Sequence, residues 1–423
     1  MNIDNANYAK LKEAMARATK WANSMSERED TLKRPRSTMK IQVTSSIDDI
    51  PRLPTGHPGL DIITHGGIPY GRYAVLYGGP SQGKSVQAAR IMISAQQAGI
   101  VPMYLAAEGT DLQWLSAQGV DLNYLILNKD ETDCARILNT VDEACRGTKD
   151  PGKVDLGNPY TKLIIVDSVA AMKHVEEELK GVGGDNMAFT ARRLSQYFRN
   201  HSQAVITNNV IVLFINQIRS VMNSDLEQYP GGNALKHYSS LDMHIRRVSK
   251  SDFVESIHKF MFEDSVGRTG FGNGIFIRKT KLYGVPENTR VTGVIQENVG
   301  LSKELTLAQF CVEHDILERS GASCKMKTWD GLEEKEFKTS GGFGGFADWI
   351  YENYDLAFAS AKHAYETKFE QTMTERKKRL RVAVKEENTE QPVATESAKE
   401  EVVEDKEEKP AKRGRKAKGK GKK

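Results

Sequence analysis

Tyr8, Leu11, Met15, Ala18, Ala22 and Met25 recur at steps of three and four residues, which predicts an N-terminal helix with one apolar face. The polar stretch from Ser26 to Lys40 separates it from the next apolar segment. The face reads either as an arm or as a strip folded back onto its own domain. From Leu53 the punctuation changes to Gly, Pro and short apolar runs. Tyr73 to Tyr77 predicts a buried strand entering Gly78, and Ser85 to Ala98 predicts the helix after it. Met103 to Leu105, Leu163 to Val166 and Val210 to Ile215 are aliphatic enough for strands buried on both faces. Helical segments lie between them, the order of an α/β fold with a mostly parallel central sheet and crossovers. Beyond about Gly300 a smaller mixed region ends in Phe346 to Ile350 and passes into a helix through Phe369.

Length and charge change the picture mainly at the end of the chain. The 423 residues exceed the roughly 250 to 300 that one core accommodates, so one main domain with additions is expected. From about Lys385 there is no aromatic residue, and the chain runs acidic from Glu386 to Glu408 and then basic to Lys423. Such a composition cannot bury enough apolar surface to offset the entropy of ordering, and a disordered tail is expected. The formal net charge of +4 conceals this, because the last twelve residues carry eight Lys or Arg and the remainder is net acidic. Any nucleic-acid site in the folded part must therefore come from local placement of Arg and Lys. The basic end is expected to capture duplex DNA under restraint from the acidic block, or simply to keep the chain soluble. Cys134, Cys145, Cys311 and Cys324 form no CxxC pair and read as free thiols. No apolar run approaches the roughly 18 residues of a membrane span, and the N-terminus lacks the regions of a signal peptide. A soluble, cytoplasmic protein with no membrane partner is expected.

Gly78, Gly79, Pro80, Ser81, Gln82, Gly83, Lys84 and Ser85 match G-x-x-x-x-G-K-[ST] in full. Glycines let consecutive N–H groups point at phosphate oxygens, and the helix that follows adds its positive N-terminal end. In that arrangement Lys84 reaches the β and γ phosphates of ATP, and the Ser85 hydroxyl ligates Mg2+. Asp167 ends the run from Leu163 and can hold the Mg2+ shell. Glu108 ends the run from Met103, at the same edge of the sheet, where a carboxylate can orient and deprotonate an attacking water. A carboxylate after four aliphatics is common by itself; the phosphate loop gives it meaning.

Leu213-Phe214-Ile215-Asn216-Gln217-Ile218-Arg219 followed by Gly231-Gly232-Asn233-Ala234-Leu235-Lys236 resembles the RecA-type recombinases of bacteria and their phage relatives of the UvsX type. Leu53-Pro54-Thr55-Gly56 with Leu60-Asp61, Ile165 to Ala171, and Glu318-Arg319-Ser320-Gly321-Ala322 extend the resemblance in order over roughly residues 45 to 350. The resemblance implies that Gln217 senses the γ-phosphate and signals to the DNA-binding loop behind it. It implies that Lys279 and Lys281 reach the ATP of an adjacent subunit as arginine fingers do. It places Asp111 and Trp114 at adenine, with Trp where Tyr is more usual. Two DNA loops follow from it, about Lys180 to Met187 and about Ile218 to Gly232. Met187 and Met222 are the implied wedges between bases, Arg192, Arg199 and Arg219 the phosphate contacts, and Gly231 and Gly232 the points of close backbone approach.

The chain also departs from the family pattern. The second loop is about three residues shorter than in bacterial RecA, and Val221 stands where a Lys is usual. Ser249 to Gly272 reads as an insertion, and Gly274 and Phe276 occupy the places of basic residues that hold incoming duplex. The implied division is residues 1–44 as a docking arm, 45–300 as the ATPase and DNA-binding core, 301–370 as a small α+β C-terminal domain, and 371–423 as a charged, mostly disordered tail. The implied activity is that of a DNA-dependent ATPase that forms a filament on single-stranded DNA with ATP and Mg2+. It would pair that strand with homologous double-stranded DNA and exchange strands. A ring-helicase motor shares the loop and Asp167 but not the Asn216 to Lys236 string. A non-catalytic ATP-dependent regulator is the other alternative.

Overall fold

The structure is a computed structural model of the full chain. It describes residues 7, 9–17, 50–146, 161–173, 187–220, 227–228, 230–249, 270–296, 300–320, 323–331 and 334–389. Residues 1–368 form one compact unit and 369–423 a second.

The first unit is built on a nine-stranded sheet. Its parallel half runs β10 (Ser239–Val248), β3 (Tyr73–Gly78), β7 (Ile211–Gln217), β6 (Leu163–Asp167), β4 (Met103–Ala106) and β5 (Ile126–Asn128). Beyond β10 lie three antiparallel strands, β11 (Phe271–Thr280), β12 (Thr289–Gln296) and β13 (Gly300–Leu301). Because side chains alternate across a strand, the apolar runs supply two cores. Leu76, Ile165, Leu213 and Ile215 face the helices Lys84–Gln97, Lys303–Glu313 and Gly342–Glu352. Val75, Ile164, Val166 and Phe214 face Cys134–Arg146 and Met187–Thr207 on the other side. The result is a three-layer α/β fold, as the apolar pattern predicts.

The antiparallel half was not legible in the apolar runs. β10 alternates apolar and polar residues from Leu241 to Ile245, but Asp242, His244 and, on β11, Asn273 are buried as well as Met243, Ile245 and Ile275. A second, three-stranded antiparallel sheet, Glu318–Ser320, Ser323–Trp329 and Glu334–Thr339, packs with helix Gly342–Glu352. Its Cys324 and Met326 share the core of the large sheet with Phe310 and Phe346. The last helix runs Tyr354–Thr389, past the expected stop near Phe369. From Tyr354 to Thr389 the chain contains no Gly or Pro and is rich in Ala, Lys, Arg and Glu, which lose little freedom in a helix.

At the other end, residues 9–17 are helical. Leu11 is fully buried against Val101 and Tyr124 of the same chain, and Asn7 Nδ2 donates to the Gln97 carbonyl at 3.2 Å. Of the two readings of this face, folding back describes residues 9–17 in the single chain. Ala18 to Met25 lie outside the described residues.

A turn in front of the first long strand braces the phosphate loop. Asp61 Oδ1 accepts from both N and Oγ1 of Thr55 at 2.7 Å, and Oδ2 accepts from Gly56 N at 3.1 Å. The Thr55 carbonyl then accepts from Gln87 Nε2, on the helix after the loop, at 3.0 Å. Asp61→Ala strands buried donors of this turn, each costing about 1–3 kcal/mol. The expected outcome is a destabilisation of about 2–4 kcal/mol, read from the midpoint of urea unfolding.

Candidate active site

Strand order and register assemble the site at one edge of the sheet. Gly78 pairs with Gln217, Ile215 with Asp167, and Asp167 with Ala106, so β3, β7, β6 and β4 release their next residues side by side. Ligands of open α/β sheets bind at this carboxyl edge. Lys84, Asp167, Glu108 and Gln217 are all brought there.

The loop itself is a short strand-to-helix turn. Gly79 N donates to Gln82 Oε1 at 2.9 Å, which fixes its curl. Gly83 has φ 98°, a left-handed conformation, and a Cβ there would stand 2.9 Å from Asn273 Nδ2 and 3.0 Å from Ile295. Helix Lys84–Gln97 starts directly after it with no side-chain cap, leaving its first N–H groups to face an anion. Lys84 Nζ rests on the carbonyls of Gly78 and Gly79, at 3.0 and 2.6 Å. Burial lowers its pKa, opposed by the charges of Asp167 and Glu108. Ser85 is exposed on the first turn of the helix.

Asp167 is buried, and burial raises its pKa to about 6, with the charge of Glu108 adding to the rise. The Tyr104 hydroxyl donates to its Oδ2 at 2.6 Å and, with Lys84, opposes that shift. A buried carboxylate and an exposed hydroxyl beside a phosphate cradle are hard oxygen donors, a set that suits Mg2+ with a nucleotide. Glu108 is exposed, and its Oε1 accepts from Gln217 Nε2 at 2.7 Å and from the Ser168 hydroxyl. Next to Gln217, the buried Asn216 donates from Nδ2 to the Pro230 carbonyl at 2.6 Å. The end of β7 is thereby tied to the segment entering Gly231.

Gly231 has φ 107° and Gly232 φ 68°. Added Cβ atoms would meet Leu235 and Leu194 at 3.1 and 3.2 Å from Gly231, and Ala191 at 3.0 Å from Gly232. The pair therefore sits on helix Met187–Thr207, where Arg192 and Arg199 are exposed. Met187 begins that helix, and Arg219 lies in a two-residue strand paired with Glu227–Gln228. Met222 and residues 174–186 lie outside the described residues.

Lys279 and Lys281 are not brought to this site. β11 runs antiparallel to β10 and carries them to the opposite edge, where Lys279 pairs with Asp242 and Lys281 N donates to the Ser240 carbonyl. Asp242 is level with Val75 and Ser239 with Tyr73, so about 10 Å of strand separates Lys279 from Gly78 and roughly 15 Å separates Lys281, before the width of two strands is added. Their ammonium groups donate to the carbonyls of Lys236 and His237, at the C-terminal end of helix Gly232–Tyr238. Asp111 caps helix Leu112–Ala117, accepting from Gln113 N at 2.8 Å and Trp114 N at 3.3 Å. Trp114 is half-buried against the main core.

Three contacts at the site had little or no sequence signal. Tyr104 sits among aliphatics, and only the rule that a buried hydroxyl finds a partner hints at Asp167. Ser168 follows Asp167 directly but could have faced either way. Arg247 Nε donates to the Ser81 carbonyl at 3.2 Å, a contact created by the parallel pairing of β10 with β3.

The RecA N-terminal domain family matches residues 23–261 of the chain. The chain belongs to the RecA family. The RecA protein of Methylococcus capsulatus is 32% identical over 292 residues, covering 68% of this chain and 77% of its own. That of Rhizobium leguminosarum bv. viciae is 32% identical over 302 residues, covering 68% and 76%. The RadB recombinase structure aligns over 59% of this chain and 98% of its own, at 17% identity and a TM-score of 0.41. RecA-family membership places the chain among the ATP-binding, DNA-binding ATPases of recombination and repair. Among the described residues no helix is long and apolar enough to cross a membrane.

Proposed function

We propose that the chain is a strand-exchange recombinase that assembles on single-stranded DNA with ATP and Mg2+ and pairs that strand with homologous duplex in the cytoplasm. The observation that carries this reading is the hydrogen-bonded path from Glu108 to Gln217, and through the neighbouring Asn216 to Pro230. It joins the position of the attacking water to the glycine pair assigned to DNA, which a nucleotide-binding protein without DNA coupling does not need.

In this reading Gly79 to Gly83 and the first turn of the helix bind the phosphates, and Lys84 exchanges the loop carbonyls for the β and γ oxygens. Ser85 and Asp167 would hold magnesium, which when bound neutralises phosphate charge. Glu108 orients the attacking water and takes its proton onto a carboxylate oxygen. Gln217, now bonded to Glu108, is placed to exchange that partner for the γ-phosphate, and Asn216 transmits the change to Pro230 and Gly231. Asp111 and Trp114 border the adenine. Met187, Arg192, Arg199, Arg219, Met222, Gly231 and Gly232 contact the strand through its backbone and stacked bases, so any sequence is accepted. Lys279 and Lys281 serve the ATP of an adjacent protomer, because their edge of the sheet faces away from their own loop.

The test is ATP hydrolysis with and without single-stranded DNA, in the wild type and in Lys84→Ala. Stimulation of about tenfold or more, a loss of over 1 kcal/mol in the barrier, is expected in the wild type and none in the variant. Hydrolysis indifferent to DNA would leave an ATPase and remove the recombinase reading.

A further inference from the structure

Tyr283 stands out among the described residues as a large apolar side chain left in water. It is 88% exposed, against 54% for the next, Tyr351. Exposure of an aromatic on a loose loop means little, but this loop is anchored at several points. Leu282 N donates to Thr280 Oγ1 at 3.0 Å, and Asn288 N to the Ile277 carbonyl at 2.6 Å. The Gly284 carbonyl lies 3.3 Å from His65 Nε2, and Gly284 adopts φ 77° with its missing Cβ directed at that ring. Leu282 packs against the main core, and Val285 is buried in it. The loop thus holds Tyr283 outward on a fixed base, as interface anchors are held.

Tyr283 lies two residues beyond Lys281, on the cationic edge that also carries Lys279 and Arg72. We infer that Tyr283 is an anchor of the protomer–protomer interface, seated on a second copy of this chain beside that copy's nucleotide loop. The inference rests on the proposed action of Lys279 and Lys281 in trans, and extends it to a residue outside the chemistry. If the Lys281 ammonium, at the end of a side chain of about 6 Å, touches a partner's phosphate, the Cα of Tyr283 lies within roughly 16 Å of that phosphate. The rim of a partner that encloses the nucleotide then comes within reach of the ring. The charges agree: the lysine edge is positive, and the partner's site presents Glu108, Asp167 and the nucleotide. A ring with an apolar body and a hydroxyl suits such a mixed surface.

The experiment uses the full chain on oligo-dT with a slowly hydrolysed ATP analogue. Tyr283→Cys carries a polarity-sensitive fluorophore, whose attachment is selective because Cys134, Cys145, Cys311 and Cys324 are all buried. In parallel, a Lys84→Ala chain is mixed with a Lys279→Ala/Lys281→Ala chain, a pair that regains ATP hydrolysis only if the lysines act across the interface. The expected result is regained hydrolysis together with a blue shift and protection from quencher at position 283 on assembly. Tyr283→Ala should raise the protein concentration needed for assembly by about tenfold, with Tyr283→Phe close to wild type and the circular dichroism of all variants unchanged. Regained hydrolysis with a probe that stays exposed would overturn the anchor and leave the lysine reading intact. Failure of the mixture to regain hydrolysis would overturn both.

Discussion

Glu108→Gln is expected to lower ATP hydrolysis by roughly 10²–10⁴-fold while leaving nucleotide binding and assembly on DNA in place. The carboxamide keeps an oxygen where Glu108 Oε1 now accepts from Gln217 Nε2 and the Ser168 hydroxyl, so the local network survives. What is lost is the ability to take a proton from the attacking water. None of the groups that grip the phosphates is touched, because Lys84 and the loop lie on β3 and its helix while Glu108 follows β4. The separation predicts a variant trapped on DNA in its ATP-bound form. Single-turnover hydrolysis and filament lifetime after dilution measure the two halves of this prediction. A Gln variant with wild-type turnover would remove Glu108 from the chemistry.

Lys279→Ala/Lys281→Ala is expected to lower hydrolysis of the assembled protein by about 10³-fold or more, the scale of a lost arginine finger, with nucleotide binding by the dispersed chain unchanged. The reason is the antiparallel turn of β11. It starts at the phosphate-loop end of the sheet, where Asn273 lies against Gly83, and ends at the far edge beside Ser240. In one chain their ammonium groups are held at the carbonyls of Lys236 and His237, not at Gly78. Burial lowers the pKa of Lys281 and the adjacent Lys279 adds to the fall, with Asp242 opposing it. Binding of a fluorescent ATP analogue to the dispersed double variant, set against turnover on DNA, separates assistance in trans from a role in the chain's own site.

The phosphate loop was legible because its signal is contiguous: one strand, eight residues and one helix, each with its own chemistry. Asp167 and Glu108 were legible because a parallel sheet puts the carboxyl ends of its strands at one edge, so a carboxylate after an aliphatic run has a known address. The positions of Lys279 and Lys281 were not. Their distance from the loop depends on β10 pairing parallel to β3 and β11 antiparallel to β10, and neither direction is written in the residues. Arg247 at Ser81 was hidden for the same reason. The face of the N-terminal helix was visible, but amphipathic spacing says that a face will be covered and not by what; Val101 and Tyr124 cover Leu11 here. The end of the last helix was missed because charged residues signal both solvation and good helix formers. The roles proposed for Met187, Met222 and Trp114 rest on family resemblance and could not have come from spacing.

With the lysines acting across the interface as proposed, a phosphate loop at one edge of the sheet and two lysines at the other would make each chain a link with unlike ends. Links of this kind join head to tail and need not close. A row of n of them would hold n − 1 finished hydrolytic centres, so a lone chain would be silent, a pair half-active, and output per chain would climb towards a ceiling as the row lengthens. One terminal loop would always hold nucleotide that it cannot turn over. The two tips of the row would therefore differ in chemistry although every link is identical, and growth and shedding would each have a preferred end.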